Sequence, residues 1–146
     1  MSQDYSTSWT VPQSPRAAFA AVLDVRGWWS GNIDGPTDEL GAEFTYRYQD
    51  LHYTRQRITE LTGTTVVWTI LEADLAHSKP RDEWVGTQVR IEVTPAGDGA
   101  QVHFSHVGLT SELDCYDSCS NAWGFYINSS LHNLITTGSG APNAAE

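Results

Sequence analysis

Little positive charge, few cysteines and no long apolar run mark this sequence. Its 8 Lys and Arg face 18 Asp and Glu, for a net charge of −10. Nucleic acids and anionic membranes are held through clustered Lys and Arg, and only Arg55, Arg57 and the Lys79/Arg81 pair are locally basic. No nucleic-acid partner is expected, and the acidic surface is read as serving solubility. No apolar run approaches the roughly 18 residues of a membrane span, so no membrane insertion is expected. The N-terminus, Met1-Ser-Gln-Asp-Tyr-Ser-Thr7, lacks the basic start and apolar centre of a signal peptide. With 2 cysteines and no export signal, a reducing cytoplasm is the expected compartment. A Gly-rich phosphate loop, a G-x-S-x-G elbow and an H-E-x-x-H pair are also missing. Neither a cofactor nor a metal is therefore expected, and nothing in the spacing of Ser, His and Asp selects a triad.

What the chain does have is aromatic mass. Its 146 residues are 40% hydrophobic and 11% aromatic, with 6 Trp and 6 Tyr. That length and composition suit one domain with a proper core, expected over residues 1–137, with 138–146 as a mobile tail. Aromatics with polar tips line cavities that are apolar yet able to take polar groups. They equally fill a small β-rich core, and composition does not separate the two.

Periodicity then gives the elements. Tyr5 to Val11 alternates and stops at Pro12, as a strand does. Ser14-Pro15 is a helix start, with Ser as N-cap and Pro at the first helical position. Ala18, Phe19, Val22 and Leu23 follow at helical spacing, and Val25, Trp28 and Trp29 suggest a second short helix ended by Gly31. Asn32 to Leu40 reads as a loop. A strand after Gly41 puts Phe44, Tyr46 and Tyr48 on one face. Tyr53 to Leu61 is a more polar strand, and Thr64 to Leu71 another, with Val66, Trp68 and Ile70 on one side. Ala73 to Glu83 reads as a loop. Trp84 to Thr94 reads as a strand with Val85, Thr87, Val89, Ile91 and Val93 on one face, and Pro95 to Gly99 as a turn. The last strand, Ala100 to Val107, carries Val102, Phe104 and His106 on its apolar side.

The final third is the most telling. After Val102-His-Phe-Ser-His-Val-Gly-Leu109, an unbroken helical pattern predicts one helix of roughly 25 residues, about 38 Å long. Ser111-Glu-Leu-Asp114 fits a capping box at its start, and Gly138 can take the left-handed conformation at its end, near Thr137. Tyr116, Trp123, Ile127, Leu131 and Leu134 form its apolar stripe, with Tyr126 and Ser130 at the edge. Several strands followed by one long helix predict an α+β fold, a curved antiparallel sheet wrapped around that helix.

Three features carry candidate chemistry. His106 shares strand parity with Val102 and Phe104 and so faces the helix, where it either orients a ligand, moves a proton, or is simply a hydrogen-bonded core residue. Cys115 and Cys119 sit four apart on one helix face. Without two further ligands they read as small packing residues rather than a zinc site, and a disulfide inside one helical turn is geometrically awkward. Arg55 and Arg57 share a strand face that either receives a carboxylate or is a solvated, salt-bridged surface.

Val22-Leu-Asp-Val-Arg-Gly-Trp-Trp-Ser-Gly31, Trp84-Val-Gly-Thr87, Val102 to Leu109, and Cys115 through Trp123 to Ser130-Leu131 together resemble one family. It is the homologues of the activator of heat-shock-protein-90 ATPase, within the SRPBCC (START-like, helix-grip) superfamily. The resemblance spans nearly the whole chain. It implies a seven-stranded antiparallel sheet where six strands are counted, so the seventh is expected in the Tyr53–Leu61 region or the Ala73–Glu83 loop, unless this branch has six. It also implies binding of apolar small molecules, or cyclase and dehydratase chemistry in some members; fold alone does not choose among these. The eukaryotic co-chaperones join this domain to another that engages the chaperone. No such extension is read here, so a chaperone partner is not expected, while a homodimer is possible. The expected ligand is an apolar or aromatic molecule between sheet and helix, lined by Trp28, Tyr46, Tyr48, Trp68, Trp84, Phe104, His106, Tyr116, Trp123 and Ile127. The alternatives are an enzyme using His106 as acid or base, and an interaction module.

Overall fold

The computed structural model describes residues 4–48, 52–76, 81–110, 113 and 116–142. Seven antiparallel strands make one sheet: β1 (Tyr5–Val11), β2 (Ile33–Asp34), β3 (Glu43–Tyr48), β4 (His52–Leu61), β5 (Thr65–Leu75), β6 (Gln88–Ala96) and β7 (Gly99–Val107). Their order is β1-β7-β6-β5-β4-β3-β2, so the first strand returns to pair with the last and β2 closes the far edge. Helices α1 (Pro15–Leu23) and α2 (Val25–Trp28) connect the two edges. Ser14 caps α1, its side chain accepting from the Ala17 N–H at 3.2 Å, and the helix buries Ala18, Phe19 and Val22.

The C-terminal helix α3 runs from Tyr116 to Thr137 across the concave face, 22 residues in all. Its expected cap at Ser111 and Asp114, like Cys115, lies outside the described residues. Its end is where the sequence puts it: Gly138 takes φ 83°, and its N–H donates to the Leu134 carbonyl. The middle, Tyr126–Leu131, is a π-helical stretch, which periodicity does not reveal. Trp123, Ile127, Leu131 and Ile135 are all buried. In a pure α-helix, residues spaced by four drift about 40° per step around the axis. The wider π turn takes up that drift and keeps all four facing the sheet. Two expectations are corrected by it. Ile135, rather than Leu134, occupies the last core position, and Ser130 is fully buried instead of lying at the edge.

Three strand assignments also change. The seventh strand is Ile33–Asp34, inside the stretch read as a loop; two residues are too few for alternation to register. β5 continues to Leu75 because an irregularity in its pairing with β4, between Arg55 and Gln56, shifts its parity, so that Leu75 as well as Ile70 is buried. Finally, residues 81–86 form turns and β6 starts only at Gln88. Gly86 at φ 86° breaks the alternation there, leaving Trp84 buried and Val85 47% exposed.

Candidate functional site

The concave side of the sheet is filled by stacked aromatic rings. Trp28 lies parallel to Trp68, 6.2 Å apart, with its indole N–H donating to the Val22 carbonyl at 3.0 Å. Trp29 stacks on Trp68 at 5.7 Å and on Tyr46 at 4.3 Å, and it leans on Trp123 at 5.1 Å. Trp84 in turn stacks on Trp123 at 6.0 Å. The end of α2, strands β3 and β5, a turn and α3 thus converge on one aromatic layer, worth more than its buried area because offset and edge contacts satisfy the ring quadrupoles.

One side of this layer opens into a cleft of about 330 Å³. Its walls are Trp29, Tyr46, Tyr48, His52, Trp84, Ser118, Cys119, Ala122, Trp123 and Tyr126, and their exposed surface is mostly apolar. The first turns of α3 form one side. The ends of β3 and β4, where Tyr48 pairs with His52, form the other. No Lys, Arg, Asp or Glu is among these residues.

Of the residues singled out from sequence, Tyr46, Tyr48, Trp84 and Trp123 line the cleft. Trp28, Trp68, Phe104, His106 and Ile127 do not: all are at most 1% exposed, packed behind the lining as core. Tyr116 is half-buried outside the lining. The sequence-derived set missed Trp29, His52, Ser118, Cys119, Ala122 and Tyr126. Strand parity offered a signal for His52, since His52, Thr54, Gln56 and Ile58 alternate with Tyr53, Arg55 and Arg57; the polarity of Thr54 and Gln56 concealed an inward face.

His106 is sealed and fully satisfied. The Trp123 indole donates to Nδ1 at 3.0 Å, and Nε2 lies 2.8 Å from Thr87 Oγ1. An indole N–H can only donate, so Nδ1 is the acceptor and the neutral ring carries its proton on Nε2. That proton goes to Thr87, whose hydroxyl donates to the Trp84 carbonyl at 2.6 Å. A one-way chain results: Trp123 to His106 to Thr87 to Trp84. Burial, reinforced by the charge of nearby His52, pushes the His106 pKa down to about 3. Protonating Nδ1 would aim a second N–H at the Trp123 N–H, so the geometry opposes the charged form as well.

The other candidates separate cleanly. Cys119 is buried at 5% exposure, and among the described residues no three His, Cys, Asp or Glu side chains gather as a metal site would require. Arg55 bridges Glu43 and Glu72, at 2.8 Å to the latter, and those hydrogen bonds raise its pKa. It belongs to the sheet's outer, salt-bridged surface, away from the cleft. Among the described residues no helix is long and apolar enough to cross a membrane.

No family model and no curated protein matches the sequence. Solved structures do resemble it. The solution structure of the Aha1 dimer from Colwellia psychrerythraea superposes with a TM-score of 0.74 at 19% identity, covering 94% of this chain and 99% of that one. DynU16, from the dynemicin biosynthetic locus, gives 0.69 at 13% identity over 97% of this chain and 51% of its own. CalU16 from Micromonospora echinospora gives 0.65 at 11%, covering 93% and 77%. The chain has the Aha1-like helix-grip fold.

Proposed function

We propose that this protein binds a small, flat, largely apolar molecule in the cleft between its curved sheet and α3. The observation that carries this reading is the lining: Trp29, Trp84, Trp123 and Tyr46 bound an open cleft at a place where a tightly packed domain would close its core. Wide ring faces favour an aromatic or polycyclic guest. The tyrosines and His52 supply polar tips for one or two groups on it, and the absence of Lys, Arg, Asp and Glu among the described lining residues disfavours an ionised ligand, which would lose water without a counter-charge. The fold is shared with DynU16, a protein of the dynemicin biosynthetic locus, which supports a small-molecule guest.

The acid–base alternative built on His106 is not favoured, because that ring is sealed behind Trp84 and Trp123 and holds its proton in a closed chain. A homodimer is compatible with the proposal, since the Colwellia neighbour was solved as a dimer. The test is a thermal-shift and tryptophan-fluorescence screen of neutral polycyclic aromatics, polyketides and lipids. A ligand at about 100 times its Kd, binding only the folded state, adds about 2.7 kcal/mol of stability. Failure of every class to shift the melt or quench the fluorescence refutes the reading.

A further inference from the structure

Deeper than the cleft lies a group of polar atoms that no described residue satisfies. Thr54 and Gln56 are 0% exposed and Trp68 is 1% exposed. The Thr54 hydroxyl, both amide atoms of Gln56 and the Trp68 indole N–H have no hydrogen-bond partner among the described residues. Buried polar groups are almost always paired, so four such atoms in one region need an explanation.

Strand register places them together and next to the cleft. Thr54 and Gln56 are two apart on β4, so their side chains share the concave face. Trp68 on β5 lies two residues from Ile70, the cross-strand partner of Gln56, a diagonal neighbour across the two strands. Tyr46, which lines the cleft, is the direct cross-strand partner of Thr54. Trp29 lines the cleft and stacks on Trp68. The row His52, Thr54, Gln56 therefore runs from the cleft inward along one strand face, and Trp29 touches both the cleft and Trp68.

We propose that Thr54, Gln56 and Trp68 form the polar floor of the ligand site, reached when the Trp29 ring swings aside, and that they receive a neutral group which both donates and accepts hydrogen bonds. This rests on the ligand-binding reading above and narrows its ligand class to flat aromatics bearing a hydroxyl, a lactam or a primary amide. The Gln56 amide offers one acceptor and two donors, the Thr54 hydroxyl offers either, and the indole offers a donor. Arg55 and Arg57 flank Gln56 in sequence, but the period of two turns them to the opposite face, so a carboxylate or phosphate here would meet neither guanidinium.

The test compares 2-naphthol with 2-methylnaphthalene, a pair alike in shape, by tryptophan fluorescence titration of the full chain. Hydrophobicity alone favours the methyl compound. Wild type should instead bind 2-naphthol about tenfold more tightly, the scale of one well-placed buried hydrogen bond. Gln56→Leu and Thr54→Val should each erase that preference while leaving 2-methylnaphthalene binding intact. An unchanged ratio in both variants overturns the polar floor but leaves the cleft reading standing; failure of both probes to bind wild type removes the two together. A second readout needs no ligand. Gln56→Leu removes two unpartnered buried atoms, so its melting temperature should equal or exceed that of wild type. A fall would mean that Gln56 is already hydrogen-bonded in the folded protein, and would overturn the assignment.

Discussion

Acidification should destabilise this protein well before its carboxylates titrate, and His106 is the reason. In the unfolded chain a histidine titrates near pH 6.5; in the fold His106 is held neutral, its pKa lowered to about 3 by burial and by His52. Between those two values the unfolded state binds a proton that the native state refuses, so stability rises with pH across the window. The contribution is complete above about pH 6.5 and is lost as pH falls toward 3. Well inside the window the slope approaches 1.36 kcal/mol per pH unit, which makes the loss between pH 7 and pH 5 about 2 kcal/mol. Glu72 and Asp74, whose carboxyls are held below their ordinary range by Arg55 and Arg81, act in the same direction but only at lower pH.

Guanidinium unfolding at pH 7, 6 and 5, followed by tryptophan fluorescence, measures the slope. His106→Leu supplies the comparison. It leaves the Trp123 N–H without its acceptor, costing about 1–3 kcal/mol at pH 7. It also removes the titrating group, so its stability should stay nearly flat from pH 7 to 5. Parallel pH profiles for wild type and His106→Leu would refute the argument, because the dependence would then belong to other groups.

Three further outcomes follow from the packing of α3. Ser130→Ala removes a hydroxyl that donates to the Trp28 carbonyl at 2.7 Å and accepts from the Ala141 N–H at 2.7 Å; denaturant melts should record a loss of about 1–3 kcal/mol, since a carbonyl and an N–H lose their partner together. Ile135→Ala should destabilise by about 2–4 kcal/mol and Leu134→Ala by clearly less, and the reverse order would contradict the π-helical register. Gly138→Ala places a Cβ at φ 83° and should lower stability by about 1 kcal/mol, read as a small drop in melting temperature with an unchanged m-value.

The parts of the fold that were legible share a property: each is long enough for its period to repeat. α3 announces itself through a stripe over six turns, a terminating glycine and a preceding strand. β7 does so through Val102, Phe104 and His106. Elements that escaped are those in which one residue breaks the period. Gly86, at positive φ, separates Trp84 from β6; the parity shift in β5 turns Leu75 inward; the π turn exchanges Leu134 for Ile135. Ile33–Asp34 is too short to have a period at all. Each is a local departure fixed by tertiary pairing, and none leaves a mark in composition.

The site was harder to read for a different reason. Large apolar residues on inward faces satisfy both a core and a cavity, so Trp28, Trp68 and Phe104 could not be told from Tyr46, Trp84 and Trp123 by sequence. The residues that distinguish the two situations are polar ones on inward faces. His106 is one, and the structure gives it a partner at each nitrogen, which makes it a fastener between β7, α3 and the Trp84 turn. Thr54 and Gln56 are two more, and they gave β4 the look of an exposed strand. A sequence optimised only for stability would place Val and Leu at both positions, because an unpaired buried amide or hydroxyl costs about 1–3 kcal/mol. Local choices that run against the fold's own stability concentrate where something else must bind. On the ligand-binding proposal, the polar inner face of β4, more than the aromatic wealth around it, is the part of this sequence that would receive the ligand.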